Sequence, residues 1–503
     1  MSRLLRSPTN LGEDARAKTP ITASYLVVRH YGDLATHDSR LARLERWSRA
    51  RSTRPRLRRR VHPSSDRGLE GIIERRAIAS GALLGRLVGE VDSIPFHALS
   101  VWWQRARFGR FSRSFGYGAQ NMPYLHLLPD PGMNYTLNRP LLDGLSPPRL
   151  KEIGAVAPEI TDYASWHRVW LALAKRAESE ERWLDAASYF HGAEFYLPAG
   201  EIRNGLYDDF ARNWARGMVG VAGYERIQIP YPGGHLPGFR LPAKGKERST
   251  FVFNGGYDSF VEEFYAFLLP LTELGLTVIG FDGPGQGGAL RQGIYFEHAW
   301  EKPAKALLDY FKLDAVDWLG ASCGGYLSIR AAAFEPRIKH IISLPTTYTG
   351  LDMTLKQMRP GRAQEMMSLF KAGDRAGVEA LVALERLPSS VFDWCVTQGM
   401  HITGTRTPFD FLTAIALHSL DGVLHHVKQD ILLTEGEQDH LFDTGWIYRT
   451  MRELVCARSV TARIFTAREG AEQHCQVGNS ALARQEIIFW LARFYPGMPT
   501  VAA

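Results

Sequence analysis

Short apolar runs of strand length alternate with longer helical stretches from residue 250 onward, and this alternation constrains the fold most. The runs are Thr250–Asn254, Leu276–Asp282, Ala315–Gly320, Ile338–Leu344, Asp430–Glu435 and Ala462–Thr466. Strands that alternate with helices form βαβ units, whose strands lie parallel in one sheet. A hairpin-like segment with a Gly/Pro turn, Arg226–Leu241, precedes them. The sequence therefore predicts an α/β fold with a mostly parallel sheet.

Two further segments have a helical pattern without strand signals. Between Ala164 and Trp214, apolar residues recur at three- and four-residue steps, which predicts about three helices. Between Thr346 and Leu420, Met, Leu, Phe and Trp stand among helix formers. We therefore predict an N-terminal helical cap domain over 121–222 and an α/β domain over 223–345 and 421–497. An inserted helical lid over 346–420 divides the α/β domain.

The first 120 residues have a different composition from the rest of the chain. They hold 23 Lys and Arg, 22 of them Arg, against 10 Asp and Glu, with the densest cluster at Arg51–Arg60. Clustered Arg can bind nucleic acid or an anionic surface, or belong to a transit peptide. No recognised nucleic-acid-binding fold accompanies the cluster, and Glu13 and Asp14 come early for a transit peptide. We predict that 1–120 is a poorly ordered extension, and that nucleic acid is not a partner.

The distribution of apolar residues and cysteines bears on the compartment. The longest apolar stretch, Phe264–Phe281, is interrupted by Glu273, so we expect no membrane-spanning helix. No secretory signal is visible. The spacing of the four cysteines fits neither a zinc site nor a disulfide framework: Cys323, Cys395, Cys456 and Cys475. We therefore predict a cytoplasmic protein without a metal site.

A Gly-x-Ser-x-Gly motif stands between a predicted strand and a predicted helix. It is formed by Gly320, Ser322 and Gly324. Small residues on both sides of the serine allow a strand to turn sharply into a helix and to expose the serine oxygen as a nucleophile. Cys323 is a competing nucleophile because a thiolate is more reactive, but its flanking residues fit the motif less well. Ser322 is therefore the predicted nucleophile.

A serine nucleophile needs a general base and an acid that orients it, and in this kind of fold they follow in the order acid, histidine. Asp439, in the polar loop after the strand Asp430–Glu435, is the predicted acid, with Glu437 and Asp443 as fallbacks. His474, on the loop before the final helix, is the predicted base.

Two glycine-rich loops follow neighbouring predicted strands. The backbone N–H of Cys323 is one predicted donor to an oxyanion, and the loop Gly255-Gly256-Tyr257 supplies the other through the N–H of Tyr257. The second loop, Asp282–Gly287, lacks the residues of a phosphate-binding loop. We interpret it as a tight turn that shapes the wall of the site.

These motifs together resemble the α/β-hydrolase superfamily. They are Asn254–Asp258, Asp282–Gly287, Gly320–Gly325 and Glu469–Gln476. The resemblance extends over about 160–495 and is greatest to the FrsA-like esterases. That branch includes the 2,6-dihydroxypseudooxynicotine hydrolase of nicotine breakdown and polyketide-shortening hydrolases of fungi. It implies a cofactor-free hydrolase that acts on a small molecule. The sequence leaves the oligomeric state open, with a homodimer as one option.

The resemblance also draws attention to Asp258, one residue after the predicted oxyanion donor. In the similar nicotine-pathway hydrolase, an acidic residue at the matching loop position takes part in cleaving a carbon–carbon bond. Asp258 is therefore a candidate acid for positioning a substrate, although Asp-Ser before Phe-Val-Glu-Glu is also a helix-start pattern. General carboxylester hydrolysis, peptide hydrolysis and a catalytically silent binding protein remain alternatives.

The two helical segments are rich in aromatic residues. These side chains would either line a pocket for an aromatic or apolar substrate or only fill the cores of the two segments, and the sequence favours neither. They are Trp166, Trp170, Phe195, Tyr196, Phe392, Trp394, Phe409 and Phe411.

Overall fold

The computed structural model describes residues 27–30, 124–141, 147–387 and 389–500. In this part of the chain, nine strands form one sheet in the order β1-β9-β8-β7-β6-β4-β5-β3-β2. The six strands from β4 to β9 pair in parallel, whereas β1, β2 and β3 make antiparallel pairs toward the two edges. The predicted α/β fold with a mostly parallel sheet is confirmed. The strands are β1 Val27–His30, β2 Glu225–Tyr231, β3 Gly234–Leu241, β4 Ser249–Asn254, β5 Leu276–Phe281, β6 Val316–Ala321, β7 Ile338–Leu344, β8 Asp430–Gly436 and β9 Ser459–Phe465.

The central strands are apolar along most of their length because helices cover the sheet. Every residue of β5, β6 and β8 is buried. Strands buried on both faces have continuous apolar sequences rather than alternating ones. Since the strands are parallel, the loops at their carboxyl ends meet at one edge of the sheet, which is where sites form in such folds.

The helices that connect the strands complete the core of the sheet domain. Trp300, Trp318, Tyr326 and Leu327 lie in this core and are almost fully buried. The helices are Tyr265–Leu268, Gly287–Leu290, Glu301–Tyr310, Gly324–Phe334, Gly445–Glu453 and Ser480–Leu491, with 3-10 turns at Val261–Phe264 and Leu269–Leu274.

The segment before β2 is helical and has its own core. Asp162 and Ser165 form a capping box at the start of the third helix, which satisfies backbone N–H groups that the helix leaves unpaired. Trp166 and Trp170 on that helix are fully buried in the core. The helices are Pro131–Asn138, Pro147–Val156, Tyr163–Ser179, Trp183–Glu194 and Glu201–Gly217.

Between β7 and β8 the chain forms five helices and no strand in its described residues. They pack around a third apolar core, in which Phe392 and Phe411 are fully buried. Ser389 and Thr407 cap the fourth and fifth of these helices. The helices are Gly350–Lys356, Arg362–Ala372, Arg375–Arg386, Ser390–Thr403 and Pro408–Ile415. We refer to Ser390–Thr403 as the covering helix.

The Arg-rich segment and the absence of a membrane-spanning helix are two further expectations from the sequence. Of the Arg-rich segment 1–120, only Val27–His30 is described; it forms β1 beside β9, a strand that the sequence analysis did not predict, and the remainder lies outside the described residues. Within the ranges that the structure describes, no helix has both the length and the apolar character needed to cross a membrane.

Candidate active site

Ser322 stands at a sharp turn between β6 and the helix Gly324–Phe334. Its φ of 60° lies in the left-handed region, which a residue with a side chain adopts only when its neighbours hold it there. The Ser322 N–H donates to the carbonyl of Leu344 at 2.6 Å. A Cβ on Gly320 would overlap the carbonyl oxygen of Gly324, so the turn requires glycine at that position.

The structure brings Ser322 together with the predicted base and acid. His474 Nε2 lies 2.9 Å from Ser322 Oγ, and His474 Nδ1 lies 2.6 Å from Asp439 Oδ2. The other carboxylate oxygen of Asp439 accepts the N–H groups of Leu441 and Phe442 at 2.8 and 2.9 Å. These two donors fix the carboxylate, which in turn fixes the ring of His474.

The charges around His474 favour its protonation. Burial alone would lower the pKa of His474, but the charges and hydrogen bonds of Asp439 and Cys475 together raise this pKa well above its ordinary value. Burial would likewise raise the pKa of Asp439, yet the facing imidazole lowers it. An anionic Asp439 therefore supports an imidazole that readily accepts a proton.

The other nearby candidates do not occupy these positions. Glu437 accepts the backbone N–H of Ala467, and Asp443 accepts that of Gly445. His440 lines the same cleft, with its ring centre 4.7 Å from that of Tyr135, and burial lowers its pKa to about 3. Neither fallback acid reaches His474 in the structure.

Cys323 and the loop after β4 lie side by side next to Ser322. Burial raises the pKa of the Cys323 thiol, which therefore stays protonated and is a weak nucleophile. A Cβ on Gly256 would be 2.7 Å from the amide nitrogen of Cys323, so only glycine permits this approach. Among the described residues, the N–H groups of Cys323 and Tyr257 donate to no other residue.

Ser322 and His474 line a cleft between the sheet domain and the two helical segments. The cleft holds about 1000 Å³ of empty space, including its open mouth. Of the aromatic residues singled out in the sequence, Phe195, Tyr196 and Trp394 line it, whereas the others fill helical cores or pack against them. The exposed surface of the cleft is mostly apolar, and the other apolar side chains in its wall are Phe264, Phe267, Leu344, Val391, Leu441 and Val477.

Asp258 also lines the cleft, where it forms an ion pair with Arg139. At the start of the following 3-10 turn, Glu263 accepts the N–H of Phe260 and Asp282 accepts that of Val261, both at 2.9 Å, instead of Asp258. Arg139 also donates to both carboxylate oxygens of Glu263, at 3.0 and 2.9 Å. The carboxylate of Asp258 is thus held at the wall of the cleft by a cation from the helical segment.

This ion pair is one end of a chain of alternating charges. Glu263 lies 2.9 Å from His191, His191 lies 3.0 Å from Glu194, and Glu194 pairs with Arg203. Although burial would raise the carboxylate pKa values, the adjoining cations lower those of Glu263 and Glu194 to about 2. Burial would lower the pKa of His191, but its two carboxylate partners raise it to about 9. We call these six residues, from Asp258 through Arg139 to Arg203, the charge chain.

The charge chain continues into the covering helix. Arg203 donates to Gln398 Oε1 at 2.7 Å, and Gln398 Nε2 donates to the carbonyl of Tyr257 at 3.1 Å. The Tyr257 hydroxyl donates to the carbonyl of Cys395 in the same helix at 2.6 Å. The covering helix therefore binds the loop that carries the predicted oxyanion donor.

Sequence reasoning did not find several polar residues at or near the cleft. Arg139 and Tyr135 precede the regular helical pattern and belong to no motif. The hydroxyl of Tyr135 donates to the backbone carbonyl of His474 at 3.3 Å, although the two residues are 339 positions apart. No local signal in the sequence indicates such a contact.

A parallel sheet with a serine on a strained strand-to-helix turn, beside a histidine and an acid from later loops, is the arrangement of the α/β hydrolases. The chain has the α/β-hydrolase fold and is a hydrolase, as its relatives support. It is 29% identical to the hydrolase LUC6 of a Fusarium species, in an alignment of 378 positions that covers 66% of this chain and 88% of that protein.

Another relative is also similar to the chain in sequence, and two solved structures share its fold. The chain is 27% identical to the 20-hydroxy-prefusarin hydrolase FUS2 of Gibberella moniliformis, over 66% of this chain and 88% of that protein. In structure it is similar to 2,6-dihydroxy-pseudo-oxynicotine hydrolase, with a TM-score of 0.54 and 19% identity over 73% of this chain and 97% of the other. AbyA5 has a TM-score of 0.52 at 19% identity, over 67% of this chain and 88% of the other. No family model matches the chain.

Proposed function

We propose that the chain is a serine hydrolase that cleaves an acyl or carbon–carbon bond next to a carbonyl in an aromatic or polyketide-like small molecule. The observation that carries this proposal is the hydrogen-bonded series Ser322–His474–Asp439 in a largely apolar cleft. In this mechanism Ser322 Oγ attacks the carbonyl carbon while His474 takes its proton. The N–H groups of Cys323 and Tyr257 stabilise the resulting oxyanion.

The tetrahedral intermediate then collapses and its second bond breaks. In an ester, the leaving alkoxide takes the proton from His474. In a β-diketone, the leaving group is an enolate, which the adjacent carbonyl stabilises and which takes the proton from His474 on carbon. Water, deprotonated by His474, then hydrolyses the acyl-enzyme and restores Ser322.

The Asp258–Arg139 pair favours the interpretation that the substrate carries a hydroxyl or enol group. Asp258 is paired with a guanidinium and so can accept a hydrogen bond as an anion at the wall of the cleft. The relative FUS2 acts, by its name, on 20-hydroxy-prefusarin, which supports a hydroxylated substrate. General carboxylester hydrolysis is the second candidate, because the serine, histidine and oxyanion donors suffice for it.

Asp258→Asn tests the difference between the two candidates. We expect it to slow β-diketone cleavage by about 100-fold or more, the usual range for a lost acid–base or positioning group, with little effect on an aryl ester. The measurement is kcat/KM on both substrates together with the melting temperature. Equal losses on both substrates with a lowered melting temperature would mean that Asp258 only supports the fold through Arg139, and ester hydrolysis would then be favoured.

The pH profile tests His474 as the base. Because Asp439 raises the pKa of His474, activity is expected to fall as the pH is lowered through that raised value, where imidazolium cannot accept the proton. The midpoint of the rising limb of kcat/KM should lie above about 6.5, the ordinary histidine value. His440→Gln is the matched control and should leave the limb in place, since His440 stays neutral at these pH values. A limb that moves in His440→Gln would assign the base to His440.

A further inference from the structure

Gln286 is a buried amide in the turn Asp282–Gly287, which the sequence analysis interpreted as the wall of the site. It is 2% exposed and does not line the cleft. Its Nε2 donates to the carbonyls of Gly255 and Gly256, both at 2.8 Å, and its Oε1 accepts the N–H of Gly283 at 2.9 Å. Both protons of the amide are therefore directed at the loop after β4.

The carbonyl of Gly256 and the N–H of Tyr257 belong to one peptide group. A peptide group is planar and trans, so fixing the direction of its carbonyl also fixes the direction of its N–H. The loop has glycine at positions 255 and 256, where the backbone has the most conformational freedom. A donor on the carbonyl also polarises the peptide and strengthens its N–H as a donor.

We propose that Gln286 is a positioning residue that orients the N–H of Tyr257 toward the oxyanion. This inference rests on the proposed serine hydrolase mechanism and deepens it. Gln286 touches neither the cleft nor Ser322, so it acts through the peptide that it holds. The amide matters because it donates to two carbonyls at once, which neither a hydrocarbon nor a carboxylate of the same length does.

Gln292 offers a matched control a few residues away. Its amide also spans backbone groups: Nε2 donates to the carbonyls of His235 and Gly288 at 2.9 and 2.8 Å, and Oε1 accepts the N–H of His235 at 3.0 Å. These contacts hold the β2–β3 hairpin to the chain after β5, not the oxyanion loop. Gln292→Met therefore removes a similar set of hydrogen bonds without acting on Tyr257.

The experiment compares Gln286→Met and Gln286→Asn with Gln292→Met in the full chain, using a p-nitrophenyl ester and a trifluoromethyl ketone inhibitor. A displaced oxyanion donor should lower kcat by about 10- to 100-fold, less than or similar to outright loss of a donor, and leave KM nearly unchanged. Affinity for the ketone, whose adduct carries the oxyanion, should fall by a similar factor. Gln292→Met should change neither value.

A folded Gln286 variant, judged by its melting temperature, with unchanged kcat would overturn the inference. Equal losses in the Gln286 and Gln292 variants would also overturn it, because the loss would then reflect general weakening of the loops. Gln286→Asn retains the amide on a shorter side chain. Its kcat and its affinity for the ketone decide the test if Gln286→Met does not fold. Ser322→Ala is measured in parallel: if that variant still hydrolyses the ester, the proposed mechanism fails, whatever Gln286 does.

Discussion

Ser322→Ala is expected to abolish covalent labelling by a fluorophosphonate probe. It should also reduce the rate of hydrolysis to the low residual rate that substrate binding and the oxyanion donors support without a nucleophile. Removal of a nucleophile from such a triad lowers kcat by about 10⁶-fold in the best-studied serine hydrolases. The expectation rests on the 2.9 Å contact of Ser322 Oγ with His474 and on the strained backbone that presents the serine. The measurement is the extent of labelling and kcat on an aryl ester.

Cys323→Ala is the control for this experiment. The Cys323 thiol is buried and its pKa is raised, so it should contribute no nucleophile, while alanine retains the backbone N–H. Labelling should therefore persist in Cys323→Ala. Labelling that survives in Ser322→Ala and disappears in Cys323→Ala would show that the neighbouring sulfur is the nucleophile.

Asp439→Asn is expected to lower kcat by about 10⁴-fold, as a change of this kind does in other Ser-His-Asp enzymes. Asp439 Oδ1 accepts the N–H groups of Leu441 and Phe442, so an amide at this position would turn its oxygen toward them. Its NH₂ would then face His474 Nδ1 and force that nitrogen to accept. Nε2 would carry the proton and could no longer take one from Ser322.

Glu437→Gln is the matched control for the acid. Glu437 precedes Asp439 by two residues but accepts the N–H of Ala467 instead of facing the imidazole. Its substitution should leave kcat essentially unchanged. A loss in Glu437→Gln as large as that in Asp439→Asn would reassign the orienting acid, and an unaffected Asp439→Asn would remove it from the mechanism.

The sequence predicted the fold well where the signal is local. The ends of apolar runs such as Leu276–Asp282 and Ile338–Leu344 lie within one residue of the ends of the observed strands. These runs are easy to recognise because strands buried on both faces have nearly continuous apolar sequences. The motif around Ser322 is equally local, since its glycines are required by a single turn of the backbone. β1 had no such signal: its four residues lie in an Arg-rich segment that gave no reason to expect a strand.

What the sequence could predict about the site has a similar limit. Ser322, Asp439 and His474 all follow strands of one parallel sheet, so knowing the strands is enough to place their loops together. Arg139 comes from a helical segment 119 positions before Asp258, and its pairing depends on how the two domains pack. The glycine-rich turn before Gln286 was recognised, but the direction of one amide within it depends on three-dimensional contacts that a motif does not contain.

The charge chain limits how readily the selectivity of the cleft can change. Its members alternate in sign from Asp258 to Arg203, so neutralising Arg139 leaves the carboxylate of Asp258, at the end of the series, without its cation. Removing one partner of a buried pair typically costs about 3–5 kcal/mol, a large part of the stability of an ordinary domain. A change at Asp258 leaves Arg139 paired with Glu263, whereas a different residue at Arg139 would need a compensating change at Asp258. Adaptation to new substrates that involves Arg139 should therefore proceed through coupled substitutions, in the helical segment and the loop together.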